Sequence, residues 1–192
     1  MRKKILLVAV VLICLSLIGY SSLAYFTTED TARNVITAGA VEVKVVEMQQ
    51  LVDGTLQPYP AQPISVMPGT TVSKIGTLRS EDAAVFARAK LELTVLDGQG
   101  EKMALTQQEL AKVIQLSAPG EGWTQKDGWW YYTDVLAGGA STTAFLESVS
   151  FSAENMTNEY QNCKVLIDIT AQAVQAANNG TNAMEAMGWP ET

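Results

Sequence analysis

Val85-Phe86-Ala87-Arg88-Ala89-Lys90-Leu91-Glu92-Leu93-Thr94-Val95 is the stretch on which the fold turns. Val85, Ala87, Ala89, Leu91, Leu93 and Val95 recur at every second position, with Phe86, Arg88, Lys90, Glu92 and Thr94 between them. Successive side chains of an extended chain point to opposite faces, so this period predicts a strand with one dry and one wet face. Residues 163–173 repeat the pattern, with Val165, Ile167, Ile169 and Ala171 inward and Lys164, Asp168 and Thr170 outward. Residues 40–46 do so with Val41, Val43 and Val45 against Glu42 and Lys44. Strands wetted on one face belong to antiparallel sheets. Shorter strands are predicted over residues 71–78, 129–133 and 142–151.

Turn chemistry separates these runs: Pro68-Gly69, Asp97-Gly98, Gly138-Gly139 and Asn178-Asn179-Gly180. Asp127-Gly128, between Trp123 and Trp129, predicts a tight hairpin. One helix is expected where Thr106 and Glu109 form a capping box and Leu105 can staple onto Leu110. Leu110, Val113 and Ile114 give its apolar face, and residues 183–187 suggest a final helical turn. The expectation is an all-β, two-sheet antiparallel sandwich of jelly-roll type with one or two short helices.

The first residues follow a different rule. Arg2, Lys3 and Lys4 precede an apolar run over residues 5–18, and Ser22-Leu23-Ala24 supplies small residues at the positions a signal peptidase reads. The run is shorter than the roughly 20 residues a spanning helix needs. Residues 1–24 are therefore expected to be a signal peptide cut between Ala24 and Tyr25, with an uncleaved anchor as the alternative. The chain is then secreted and touches the membrane only during export.

Cleavage removes three of the 13 basic residues and no acidic one, leaving 10 Lys+Arg against 20 Asp+Glu, a net charge of −10. Such a surface repels nucleic acid. Cys14 leaves with the signal, so Cys163 has no partner for an intramolecular disulfide and is expected as a small buried residue. The chain has no histidine. His-ligated zinc, the Ser-His-Asp triad and the HExxH helix are thereby closed to it. No catalytic, cofactor-binding or metal-ligating residue is assigned, no cofactor is expected, and an enzyme is not the favoured reading.

Residues 25–39 (Tyr25-Phe26-Thr-Thr-Glu-Asp-Thr-Ala-Arg-Asn-Val35-Ile36-Thr-Ala-Gly39) carry aromatics at the tip and no turn before Gly39. They read either as a frayed terminus or as a strand donated to another copy's sheet edge. Residues 40–192 form the sandwich domain. Trp129, Trp130, Tyr131 and Tyr132 are a possible contact surface, with Trp129 and Tyr131 on one face and Trp130 and Tyr132 on the other. Arg88, among Lys90 and Glu92, is expected to form a surface ion pair worth about 0–1 kcal/mol.

Leu23-Ala-Tyr-Phe-Thr-Thr-Glu-Asp30, then Asn34-Val-Ile-Thr-Ala-Gly39 and Val41-Glu-Val-Lys-Val45, resembles the start of the TasA/camelysin family of Gram-positive secreted proteins. Met67-Pro-Gly-Thr-Thr-Val-Ser-Lys74, Val85-Phe-Ala-Arg-Ala-Lys90, Asp127-Gly-Trp-Trp-Tyr-Tyr132, Leu136-Ala-Gly-Gly139 and the closing residues from Asn158 to Trp189 are similar to family segments in the same order. The resemblance implies an exported jelly-roll subunit of surface or biofilm-matrix fibres. There each N-terminal strand completes a neighbour's sheet. It implies self-association, related accessory subunits and a dedicated signal peptidase as partners. The donor residues would be Phe26, Val35, Ile36, Val41, Val43 and Val45. Camelysin-like members have been classed as metallopeptidases, so a metal-dependent surface peptidase is one alternative. A monomeric glycan- or protein-binding module using the aromatic hairpin is another.

Overall fold

The structure is a computed structural model that describes residues 26–32, 36–37 and 41–190. In chain order the strands are β1 (Phe26–Ala32), β2 (Ile36–Thr37), β3 (Val43–Gln50), β4 (Leu56–Pro58), β5 (Ile64–Val66), β6 (Thr71–Ser80) and β7 (Val85–Leu96). After helix α1 (Gln107–Val113) come β8 (Ile114–Leu116), β9 (Trp123–Lys126), β10 (Trp129–Leu136), β11 (Leu146–Phe151) and β12 (Lys164–Gln175). They form an all-β sandwich. One sheet has the order β5-β1-β12-β7-β10-β9, with β2 also on β12; the other has the order β4-β3-β6-β11-β8. From β6 to β12 the chain passes back and forth between the sheets, as in a jelly roll.

The two longest alternating stretches meet. β7 and β12 pair antiparallel over all twelve positions, from Val85↔Gln175 to Leu96↔Lys164. Their dry faces therefore line up. Val85, Ala87, Ala89, Val165, Ile167, Ile169, Ala171 and Ala173 are fully buried. The other sheet answers with Val43, Leu78, Leu146, Val149 and Phe151. Full burial of each large aliphatic side chain contributes about 1.5–3 kcal/mol, so this shared face is what holds the sheets together. The tip of the Phe145 ring abuts Gly76, where an added Cβ would meet it at 2.8 Å.

Local signals fold as expected in several places. Asp127 (φ 51°) and Gly128 (φ 80°) make the two-residue turn joining β9 to β10. Thr106 caps α1, with the reciprocal Glu109 contact in place. Cys163 is buried. Two expectations need correction. Ile114, placed on the helix face by its spacing, has extended backbone and opens β8, because pairing with Phe151 on β11 captures it. Residues 183–187 form no helix: 183–185 make a turn in which Asn182 Oδ1 accepts from the Met184 N–H at 2.9 Å. The three-residue strands β4, β5 and β8 are too short for periodicity to reveal.

Candidate functional site

β1 lies between β12 and β5. It pairs parallel with β12 from Thr27↔Lys164 to Ala32↔Ile169, and antiparallel with β5 from Phe26↔Val66 to Thr28↔Ile64. β2 continues along the same border of β12, with Ile36↔Gln172 and Thr37↔Ala173. From Ala32 to Ile36 the N-terminal segment uses four steps where β12, from Ile169 to Gln172, uses three. The chain's first strands thus line the border of its last strand. β12 is held on its other border by β7 over its full length. The seam of β1 and β2 with β12 joins strands far apart in sequence, with the remaining described strands intervening.

The sites read from the sequence fall in three groups. Ala24, Tyr25 and Val35 lie outside the described residues. Phe26 and Ile36 stand at the paired positions just given. Val41, Val43 and Val45, grouped above with the donor, belong instead to the chain's own core. Val41 and Val43 are buried and Val45 packs against the same cluster, because β3 pairs with β6 through six positions. The described N-terminal residues that seat on a sheet border are therefore 26–32 and 36–37.

The aromatic hairpin also departs from expectation. Trp129 and Tyr131 are buried, each 7 % exposed, in a second small core with Phe86, Val174, Ala183 and Ala186. Tyr132 packs into the main core beside Trp123, ring centroids 5.2 Å apart. Trp130 is half-buried and lines a surface cavity of about 460 Å³ with Leu91, Leu116 and Phe145. The Trp129/Tyr131 face of the hairpin is covered because residues 176–190 fold back over the outer face of the larger sheet.

Arg88 sits under this cover and is 8 % exposed. Its guanidinium lies 4.2 Å from the Trp129 ring centroid and 4.6 Å from that of Trp189. Nε donates to Gln172 Oε1 at 2.8 Å, Nη2 to the same oxygen at 2.5 Å and Nη1 to the Tyr131 hydroxyl at 2.8 Å. Nη2 also reaches the Pro190 carbonyl at 3.4 Å. The surface ion pair expected of Arg88 is not what the structure shows: Arg88 is buried against aromatic rings, and Lys90 pairs instead with Glu92 of its own strand at 2.6 Å. Phe86 and Arg88 on the nominally wet face, with a tryptophan close to the C-terminus, were the available signal of a second buried layer.

A second charged group is buried in the smaller sheet. Lys74 Nζ lies 2.6 Å from Glu47 Oε1 and 3.9 Å from the Tyr59 ring centroid, with side chains 1 % and 10 % exposed for Lys74 and Glu47. Among the described residues no three His, Cys, Asp or Glu side chains converge on a possible metal position. No protein-family model matches the chain, and no curated protein matches it at a significant level.

Proposed function

We propose that this chain is an exported structural subunit of surface or matrix fibres, joined by exchange of residues 26–37 between copies. One observation carries the reading. The segment attaches along the border of β12 through main-chain pairing, in a slot between β12 and β5, at the start of the chain. Any other copy offers the same slot and the same segment. A strand that leaves its own slot exposes unpaired N–H and C=O groups on β12, and a neighbour's segment satisfies them with identical pairs. Donor and acceptor are different surfaces, so the contact is head-to-tail and propagates instead of closing.

The remaining borders favour this slot over indiscriminate pairing. β5, β9, β4 and β8 end the two sheets and are three or four residues long. Short edge strands are poor templates for association, whereas β12 offers eight paired positions between Lys164 and Ala173. Removal of the signal peptide frees the leading end of the segment. The partners are further copies and related subunits. The glycan-binding alternative is confined to the face of Trp130, which is half-buried beside a surface cavity, because Trp129 and Tyr131 are buried.

The test is electron microscopy of the mature protein starting at Tyr25, beside a form starting at residue 38 and a full-length Thr28→Pro variant. Proline removes a backbone donor inside β1. Filaments from the first and folded monomers from the other two are expected. A full-length mature protein that stays monomeric at high concentration, or variants that polymerise as well as the parent, would overturn the reading. Chelator-sensitive casein cleavage by the same monomer would favour the peptidase alternative.

A further inference from the structure

We propose that Trp189 and Pro190 form a latch, hinged at Gly188, that holds the C-terminal part of β12 in the conformation with which the N-terminal segment pairs. The residues concerned lie along one row of the larger sheet. Gln172 on β12 stands opposite Arg88 on β7 and, across its other border, opposite Ile36 on β2. Gln172 is fully buried, and its Oε1 accepts both Arg88 Nε and Nη2. Its Nε2 has no hydrogen-bond partner among the described residues. Arg88 is therefore the group that fixes the Gln172 side chain.

Arg88 is packed in turn against two indole rings. Trp129 lies on one strand of the same sheet, and Trp189 and the Pro190 carbonyl come from the chain's end. Trp189 also meets Tyr131 edge-on, centroids 5.7 Å apart. With the latch away, water reaches one face of the guanidinium. A cation that turns towards water abandons Gln172, and a buried amide with neither group satisfied is costly. The strain falls on residues 172–173, where β2 contributes only two paired positions. The six positions of β1 lie further along, at residues 164–169.

The latch can open without unfolding what precedes it. Asn179 clasps the loop by itself: Nδ2 donates to the Gln175 and Met187 carbonyls at 3.0 Å each, and Oδ1 accepts from the Met187 N–H at 2.9 Å. Thr181 Oγ1 donates to Glu185 Oε2 at 2.7 Å within the same loop. Beyond this clasp comes Gly188 at φ 80°, a conformation that glycine adopts without a Cβ penalty. Among the described residues beyond it, Trp189 and Pro190 reach back to Arg88. The inference concerns the isolated subunit; its consequence, that an open latch speeds strand exchange, rests on the function proposed above.

The experiment is amide hydrogen exchange on the mature monomer and its Trp189→Ala and Trp189→Phe variants. Trp189→Ala should speed exchange at residues 36–37 and 171–173 by about tenfold or more, the scale set by one hydrogen bond to a charged group. Exchange at 164–169 and the global unfolding midpoint should change little, and Trp189→Phe should restore most of the protection. Unchanged exchange at 36–37, or acceleration spread evenly over the sheet, would overturn the proposal. If Trp189→Ala does not fold, Arg88→Lys, which keeps the charge but loses the two-pronged contact with Gln172, carries the same expectation at the same residues. No filament is needed for this measurement, so its outcome is independent of whether the chain assembles.

Discussion

Replacing Lys74 by methionine tests the buried charge in the smaller sheet. Lys74 and Glu47 sit on neighbouring strands with their charges 2.6 Å apart and both side chains withdrawn from water. Methionine keeps the length and volume of the lysine stem but removes the charge. Glu47 is then left as a buried carboxylate without its cation, and Tyr59 loses the ammonium over its ring. Breaking one side of a buried pair costs about 3–5 kcal/mol. At a slope near 2 kcal/mol per molar, that lowers the urea midpoint by about 2 M. Glu47→Met should cost a similar amount from the other side. The double variant should recover: apolar replacement of a whole buried pair is often neutral, or stabilising by about 1–4 kcal/mol. Urea unfolding of the four proteins, followed by tryptophan fluorescence, closes the cycle. A double variant as unstable as the sum of the singles would show that packing, not charge, holds this position. Singles costing under about 1 kcal/mol would show that the pair is effectively solvated.

Burial pushes the Cys163 thiol upward, with Asp97 and Glu159 adding to the shift, so the native mature protein should not react with a thiol reagent until it is unfolded. Labelling of the folded protein at the rate of a free thiol would contradict the packing around β12. The Thr106 hydroxyl, then the Thr106 backbone N–H, hold the Glu109 carboxyl below its ordinary value of 4.5. A carboxyl depressed in the folded state stabilises it above the ordinary value, and that contribution is lost as pH falls through the lower folded value. Thr106→Ala should return the Glu109 titration towards the ordinary value, as read by NMR, and cost about 0.5–2 kcal/mol as a lost cap. An unmoved titration would refute the capping box.

The arrangement of sheet borders bears on how a chain with open strand edges avoids uncontrolled association. β7 reaches Leu96, but β10 pairs with it only over residues 85–89. Beyond Ala89 no described strand pairs with β7 on that side until the bridge Leu96↔Lys102 and the bond from the Met103 N–H to the Val95 carbonyl. That interval faces cavities lined by Leu91, Leu93, Leu110, Ile114 and Leu116, and α1 and the β9–β10 hairpin flank it. Elements standing on either side of an open border restrict what can approach it.

The sequence by itself determined what depends on neighbours along the chain. Period-two alternation placed the two longest strands and named their dry faces, because strand side chains alternate whatever the strand pairs with. The Asp127-Gly128 turn and the Thr106–Glu109 cap were legible for the same reason, since each is made by residues within four positions of one another. Tertiary structure alone decided which border each strand occupies. It seated residues 26–32 and 36–37 beside β12, more than a hundred positions away, and gave Val41, Val43 and Val45 to the chain's own core. It also turned Arg88 from an expected surface charge into the centre of a second core. A strand's pattern records that one face is dry but not what dries the other, and here the cover is the far end of the chain, folded back over the sheet. Pairing partners and covering segments are chosen by long-range burial and by the need to satisfy every main-chain group at a border, which no local pattern encodes.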